Sequence, residues 1–176
     1  IAHLQPDQAP QTIKDTTNIN EILSSTRGFL WVSLEHATDA EIDLVLRDIF
    51  QFHPLAIEDC QSLGYQTAKI DDYSDYIFII SHAINPNETD DTLETLELDF
   101  FLGKNYLVTC YTDDFMPPIA NTWKLIHKDY RLSKNGPDFL CHTIMDALVD
   151  DYMPLIDKME SDVEWLEDSV LEKPKT

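Results

Sequence analysis

At 176 residues, 43% of them apolar and 10% aromatic, the chain is long enough to bury one core with at most an appendage beside it. Thirty-three acids against 12 bases leave a formal charge of −21. That balance excludes nucleic acid, whose phosphates need Lys and Arg, and direct docking on an anionic lipid leaflet. It leaves open a plain solvated surface, or one whose self-repulsion bound cations relieve.

Residues 1–27 are polar and weakly patterned, which predicts a short strand at the start and a short helix near 20–25. "GFLWVSLE" (28–35) carries apolar residues on both faces and reads as a buried strand. "TDAEIDLVLRDIF" (38–50) opens on Thr38 as a cap and sets Ile42, Val45, Leu46, Ile49 and Phe50 on one face of an amphipathic helix. In "FHPLAIEDC" (52–60), His53-Pro54 breaks the chain, and Pro54 suits the first turn of a second short helix containing Leu55, Ile57 and Glu58. Two acids, Glu58 and Asp59, then follow an apolar run, where one of them is expected to face inward.

"YIFIISHAI" (76–84) predicts a strand, followed by a turn at "NPNETDD" (85–91). "LETLELDFFLG" (93–103) alternates Leu96, Leu98, Phe100 and Leu102 on one face, and a tight turn over 103–105 leads into "YLVTCY" (106–111), a hairpin. A helix starts near Pro117. After "KNGPD" (134–138) a long one begins, with apolar positions at Leu140, Ile144, Ala147, Leu148, Tyr152, Leu155, Ile156, Met159, Val163, Leu166 and Val170. Those gaps of three and four sustain a seam over about four heptads, with a kink or break expected at Pro154. The fold class is therefore α/β: a mixed, largely antiparallel sheet flanked by helices as an α/β/α sandwich, then a long C-terminal helix. Residues 1–135 form the α/β domain, and 136–176 the helical segment packing on it. The seam, intact at Val170 and Leu171, predicts a partner helix and hence a fragment of something longer.

Asp146 and Asp150 sit four apart on the long helix, with Asp151 following, so "DALVDDY" (146–152) is a carboxylate cluster. From spacing alone a solvated helix face is a plainer explanation than a metal site, and the same holds for Glu58-Asp59, where Asp59 is able simply to cap a following turn. The six histidines lack HxxxH spacing, and Cys60, Cys110 and Cys141 form no CxxC; three scattered cysteines fit a reduced, intracellular chain. Cys141 beside His142 is a poor thiol–imidazole pair, because helical neighbours point about 100° apart. With no phosphate loop, nucleophile or oxyanion hole, no enzyme is expected. "YIFII" (76–80) is too short to span a bilayer, and no signal peptide is visible.

Taken in order, "FHPLAIEDC", "AKIDDYSDYIFIISHAI", "ELDFFLGKNYLVTCY" and "FLCHTIMDALVDDYMPLIDKMESDVEWLEDSVLEKP" resemble the signature segments of CorA-type magnesium transporters, from roughly residue 28 to the end. "YQTAKI" (65–70) departs from the Arg-Pro-Lys common there, so no basic role passes to Gln66 or Thr67. The resemblance implies the cytoplasmic N-terminal domain of a homopentameric divalent-cation channel. The stalk and membrane helices would lie beyond Thr176, and the fragment itself would be soluble at the inner side of the cell membrane. It further implies intersubunit metal sites using Glu58, Asp59 and Asp146, with Mg2+ as the ion, and with Ca2+, Mn2+, Co2+ or Zn2+ as others such a site accepts. Two rivals remain at this point: a zinc transporter of the same superfamily, for which Cys60 beside the acid pair offers softer ligation, and a free-standing acidic binding domain.

Overall fold

The computed structural model describes residues 1–17, 19–25, 27–62, 65–85, 94–113, 116–129 and 131–172, without the side chains of residues 131, 171 and 172. Most of the turn expected at 85–91, residue 93 of the predicted strand, the Leu171 side chain and the terminal "KPKT" lie outside them. Strands β1 (Ala2–Leu4), β2 (Gln11–Thr12) and β3 (Phe29–Glu35) frame helix α1 (Ile19–Ser24). Helix α2 (Asp39–Ile42) and α3 (Pro54–Gln61) precede β4 (Lys69–Asp72), β5 (Tyr76–Ile84), β6 (Thr95–Gly103) and β7 (Tyr106–Tyr111). Helices α4 (Pro117–Ile126), α5 (Arg131–Lys134), α6 (Pro137–Asp150) and α7 (Met153–Glu172) complete the chain. The seven strands form one sheet in the order β2-β1-β3-β7-β6-β5-β4, antiparallel throughout except for the β3–β7 pair.

The alternation in β6 separates two cores. Leu96, Leu98 and Phe100 point to one face, where α4 and α6 deliver Ile119, Ile126, Leu140, Ile144 and Leu148. Phe101 points to the other, against Ile42, Val45, Leu46, Ala56 and Ile57. The sandwich expected from the element order is therefore present, helices on both sides of a mixed sheet. At the hairpin, the ring of Tyr106 lies where a Cβ at position 103 would stand, so a larger residue there would have to displace that ring.

Two local features differ from the periodicity. Thr38 and Glu41 do form a capping box: Thr38 Oγ1 accepts from the Glu41 amide (3.3 Å), and Glu41 accepts from the Thr38 amide (2.9 Å). Past Ile42, however, the helix widens into a π-helical stretch over Asp43–Ile49, ending where the Phe50 amide reaches back five residues to the Val45 carbonyl (3.0 Å). The apolar face survives because Ile42, Val45 and Leu46 are still buried. The long helix is broken as well. It stops at Asp150, turns through 151–152, and restarts with Pro154 in the first turn of α7, where a missing N–H costs nothing. The Tyr152 hydroxyl donates to the His82 carbonyl (2.9 Å) and pins the turn to β5. Beyond it the seam emerges from the core: Ile156, Met159, Val163, Leu166 and Val170 are all more than half exposed. Among the described residues no helix is long and apolar enough to cross a membrane.

Candidate functional site

The His-Pro step is a helix start. The His53 ring Nδ1 accepts from the Leu55 amide (3.2 Å), Pro54 occupies the first turn, and the His53 amide donates to the Tyr76 hydroxyl (2.9 Å). Ala56 and Ile57 sink into the core and anchor α3, and the next two side chains are carried around to the outside. Glu58 is exposed and Asp59 half-buried, so neither faces inward as expected. The two acids also part company. Glu58 borders a hollow with Arg47, Pro54 and Gln61, whereas Asp59 borders another with Lys69, Asp71, Asp72 and Tyr73.

Asp59 already holds a cation. Lys69 Nζ lies 2.7 Å from its carboxylate and 2.8 Å from that of Asp71. Hydrogen bonds to Asp59 and Asp71 raise the Lys69 pKa further above its ordinary value, so the ammonium persists. The carboxylate of Asp59 is thus ion-paired; the capping at that turn comes from its backbone carbonyl, which receives the Ser62 amide and hydroxyl.

Asp146 is exposed on α6, beside an apolar groove formed with Ile79, Leu102, Met145 and Val149. Helix α6 covers the sheet face opposite to α3. One chain therefore does not bring Asp146 together with Glu58 and Asp59, and among the described residues no three His, Cys, Asp or Glu side chains are placed to hold a metal ion. The donor set nevertheless fits a hard divalent cation: it is all carboxylate oxygen, at a water-accessible surface, where an ion can keep part of its hydration shell.

The Cys60 thiol does not stand with the acid pair. It turns into a cavity of about 110 Å³ lined also by Cys110, Glu97, Asp99 and Ser62. A hydrogen bond with Cys110 and burial push it well above the usual thiol range. Sequence reasoning passed over this cavity. The signal available was Asp99 itself, an acid inside "LELDFF" on a strand with neighbours on both sides. It passed over β4 too, a short edge strand whose partly buried face carries Lys69 and Asp71 while Ile70 and Asp72 point outward.

A family model described as CorA-like Mg2+ transporter protein matches residues 26–176. The chain belongs to this family. It is 40% identical over 139 residues to YfjQ of Bacillus subtilis (strain 168), whose assigned name is that of a metal ion transporter, covering 79% of this chain and 41% of that protein. It is 27% identical over 169 residues to the cobalt/magnesium transport protein CorA of Thermotoga maritima, covering 91% and 46%. The soluble domain of CorA from Methanocaldococcus jannaschii superposes with a TM-score of 0.67 at 18% identity, covering 97% of this chain and 64% of that one, and shares its fold. The chain thus spans less than half the length of the two curated relatives. Both relatives carry names of metal ion transport proteins.

Proposed function

We propose that this chain is the metal-sensing regulatory domain of a homopentameric CorA-like divalent-cation channel, closed by Mg2+ held between subunits. The observation that carries this reading is the disposition of the acids: Glu58 and Asp59 on one flank of the sandwich, Asp146 on the other. Such acids cannot share an ion within one chain, but around a ring each flank meets the opposite flank of a neighbour. Magnesium, when bound, supplies the positive charge that offsets carboxylates facing one another there. The residues do the rest. Ala56 and Ile57 hold α3 rigidly on the sheet, and Ile144 and Leu148 do the same for α6, so repulsion between acids is transmitted as movement of whole subunits. Helix α7 leads from that body with its apolar stripe uncovered, as a relay needing a partner helix would.

The test uses the full-length protein. Asp59→Asn, Glu58→Gln and Asp146→Asn are expected to remain folded and conduct, yet to close less at high internal Mg2+ and to lose Mg2+-dependent protection from protease. Their combined effect should be less than additive, since the sites are connected. Unchanged closure and protection in folded variants would end this reading. Running the same protection assay with Zn2+ and Co2+ identifies the ion sensed.

A further inference from the structure

The cavity beneath α3 has no part in that reading. Asp99 projects into it from the middle of β6, between Ile80 of β5 and Cys110 of β7. Its residue is 3% exposed, and its Oδ1 meets no hydrogen-bond donor among the described residues. Glu97, two residues along the same strand face, adds a second carboxylate at the cavity, and Asp59 adds a more distant negative charge from α3. Little offsets them. His82 on β5 lies 4.0 Å from Glu97, and its burial lowers its pKa and disfavours its charged form. Lys69 of β4 is committed to Asp59 and Asp71. Cys60, Cys110 and Tyr111, which complete the titratable lining, carry no positive charge. The Cys60 thiol hydrogen-bonds the carboxyl and favours its charged form, but one weak donor does not offset burial, so an ionised carboxylate there is costly whereas a carboxylic acid is not.

We infer that Asp99 is a proton-binding site beneath α3, neutral when α3 is fully seated and ionised only at the expense of its last turn. Burial and Glu97 raise its pKa to about 7, which places the change within the physiological range. Glu97 is partly exposed at the cavity mouth and provides the route by which the proton enters or leaves. Cys60, in the last turn of α3, is the contact through which ionisation is felt, and the carbonyl end of a helix is the end that a new negative charge disfavours. This inference needs no metal, so it stands or falls separately from the sensing reading.

The experiment is a carboxyl ¹³C NMR titration of this chain in EDTA, with amide shifts followed in parallel. The Asp99 carboxyl is expected to titrate near neutrality, and the amides of Cys60, Gln61 and Ser62 to move with the same midpoint. In Asp99→Asn, an isostere of the protonated acid, those amides should be flat. Over pH 5 to 8 the folding constant of the wild type should fall roughly a hundredfold more than that of the variant. An Asp99 carboxyl that titrates with the surface acids below pH 5 would overturn the inference. So would α3 amides that ignore its titration, a result the wild type alone can give even if the variant fails to fold.

Discussion

The two faces of the sheet are packed on different terms. Under α4 and α6 the core is almost wholly apolar: Leu98, Phe100, Leu107, Leu140 and Ile144 are sealed from solvent. The polar pair within it is satisfied, with the Trp31 indole N–H donating to Thr109 Oγ1 (3.1 Å). Under α2 and α3 the core is equally tight around Phe78 and Phe101, but one end holds Asp99, two thiols and a cavity. The first face fixes the fold, and the second gives up stability where it carries the helix bearing Glu58 and Asp59. Neighbouring residues on β6 should therefore respond to substitution with opposite signs.

The largest effect is expected at Phe100. Phe100→Ala removes a fully buried ring from the apolar face and should cost about 3–5 kcal/mol, read as a fall in the urea midpoint at constant slope. A loss below 1 kcal/mol would mean that this face is not the packed one. One residue away, Asp99→Leu should stabilise. The Asp99 pKa is raised in the folded state, so the folded state holds the proton more tightly than the unfolded chain does. The stability tied to this group is complete below the ordinary carboxylate range, declines as pH rises to about 7, and is lost above that. The gain from removing it is thus greatest at pH 8, roughly 1–4 kcal/mol, and smaller at pH 5. The adjoining cavity gives the larger side chain room. A destabilised variant at pH 8 would show that the carboxyl has a partner it cannot spare.

The same contrast governs what was legible in the sequence. The period of two in β6 and the three-and-four spacing of α6 and α7 name their apolar faces, because those patterns follow from backbone geometry alone. They do not say what covers a face. Leu148 and Met159 belong to one continuous seam, yet the first is buried and the second is 58% exposed. The widening to a π-helix over Asp43–Ile49 leaves no mark on the pattern, because the apolar residues keep to one side either way. Glu58 and Asp59 were legible as a motif. Their outward direction was not, since it depends on how Ala56 and Ile57 seat α3. Lys69 and Asp59 are ten residues apart with a loop between them, a pairing no local rule reaches.

Helix α7 extends the contrast beyond the sheet. Met159→Ala and Leu166→Ala should each change the stability of this chain by less than about 0.5 kcal/mol, whereas Ile144→Ala on α6 should cost about 2–5 kcal/mol. In the full-length protein the α7 pair should become costly if a neighbouring helix covers the stripe. Equal small losses in both contexts would remove the relay role assigned to it.

The smallest change in stability is expected where the charge sits at the surface. Lys69→Met breaks both ion pairs, but Lys69, Asp59 and Asp71 are each a quarter or more exposed, and such pairs contribute roughly 0–1 kcal/mol once water and salt screen them. Thermal unfolding should thus move little. Cation binding should move more. The ammonium now neutralises two carboxylates from within bonding distance of each, and any divalent ion approaching Asp59 meets that charge first. Its removal should tighten Mg2+ binding to this chain roughly three- to tenfold, and the gain should shrink with added salt. Lys69→Arg keeps the charge and should leave affinity near the wild-type value, which separates an electrostatic cause from a change of shape. Calorimetry that finds Mg2+ binding weakened in Lys69→Met would show that the lysine orients Asp59 for the ion. Binding unchanged in both variants would show that Asp59 takes no part in it, and the candidate ligands would then reduce to Glu58 and Asp146.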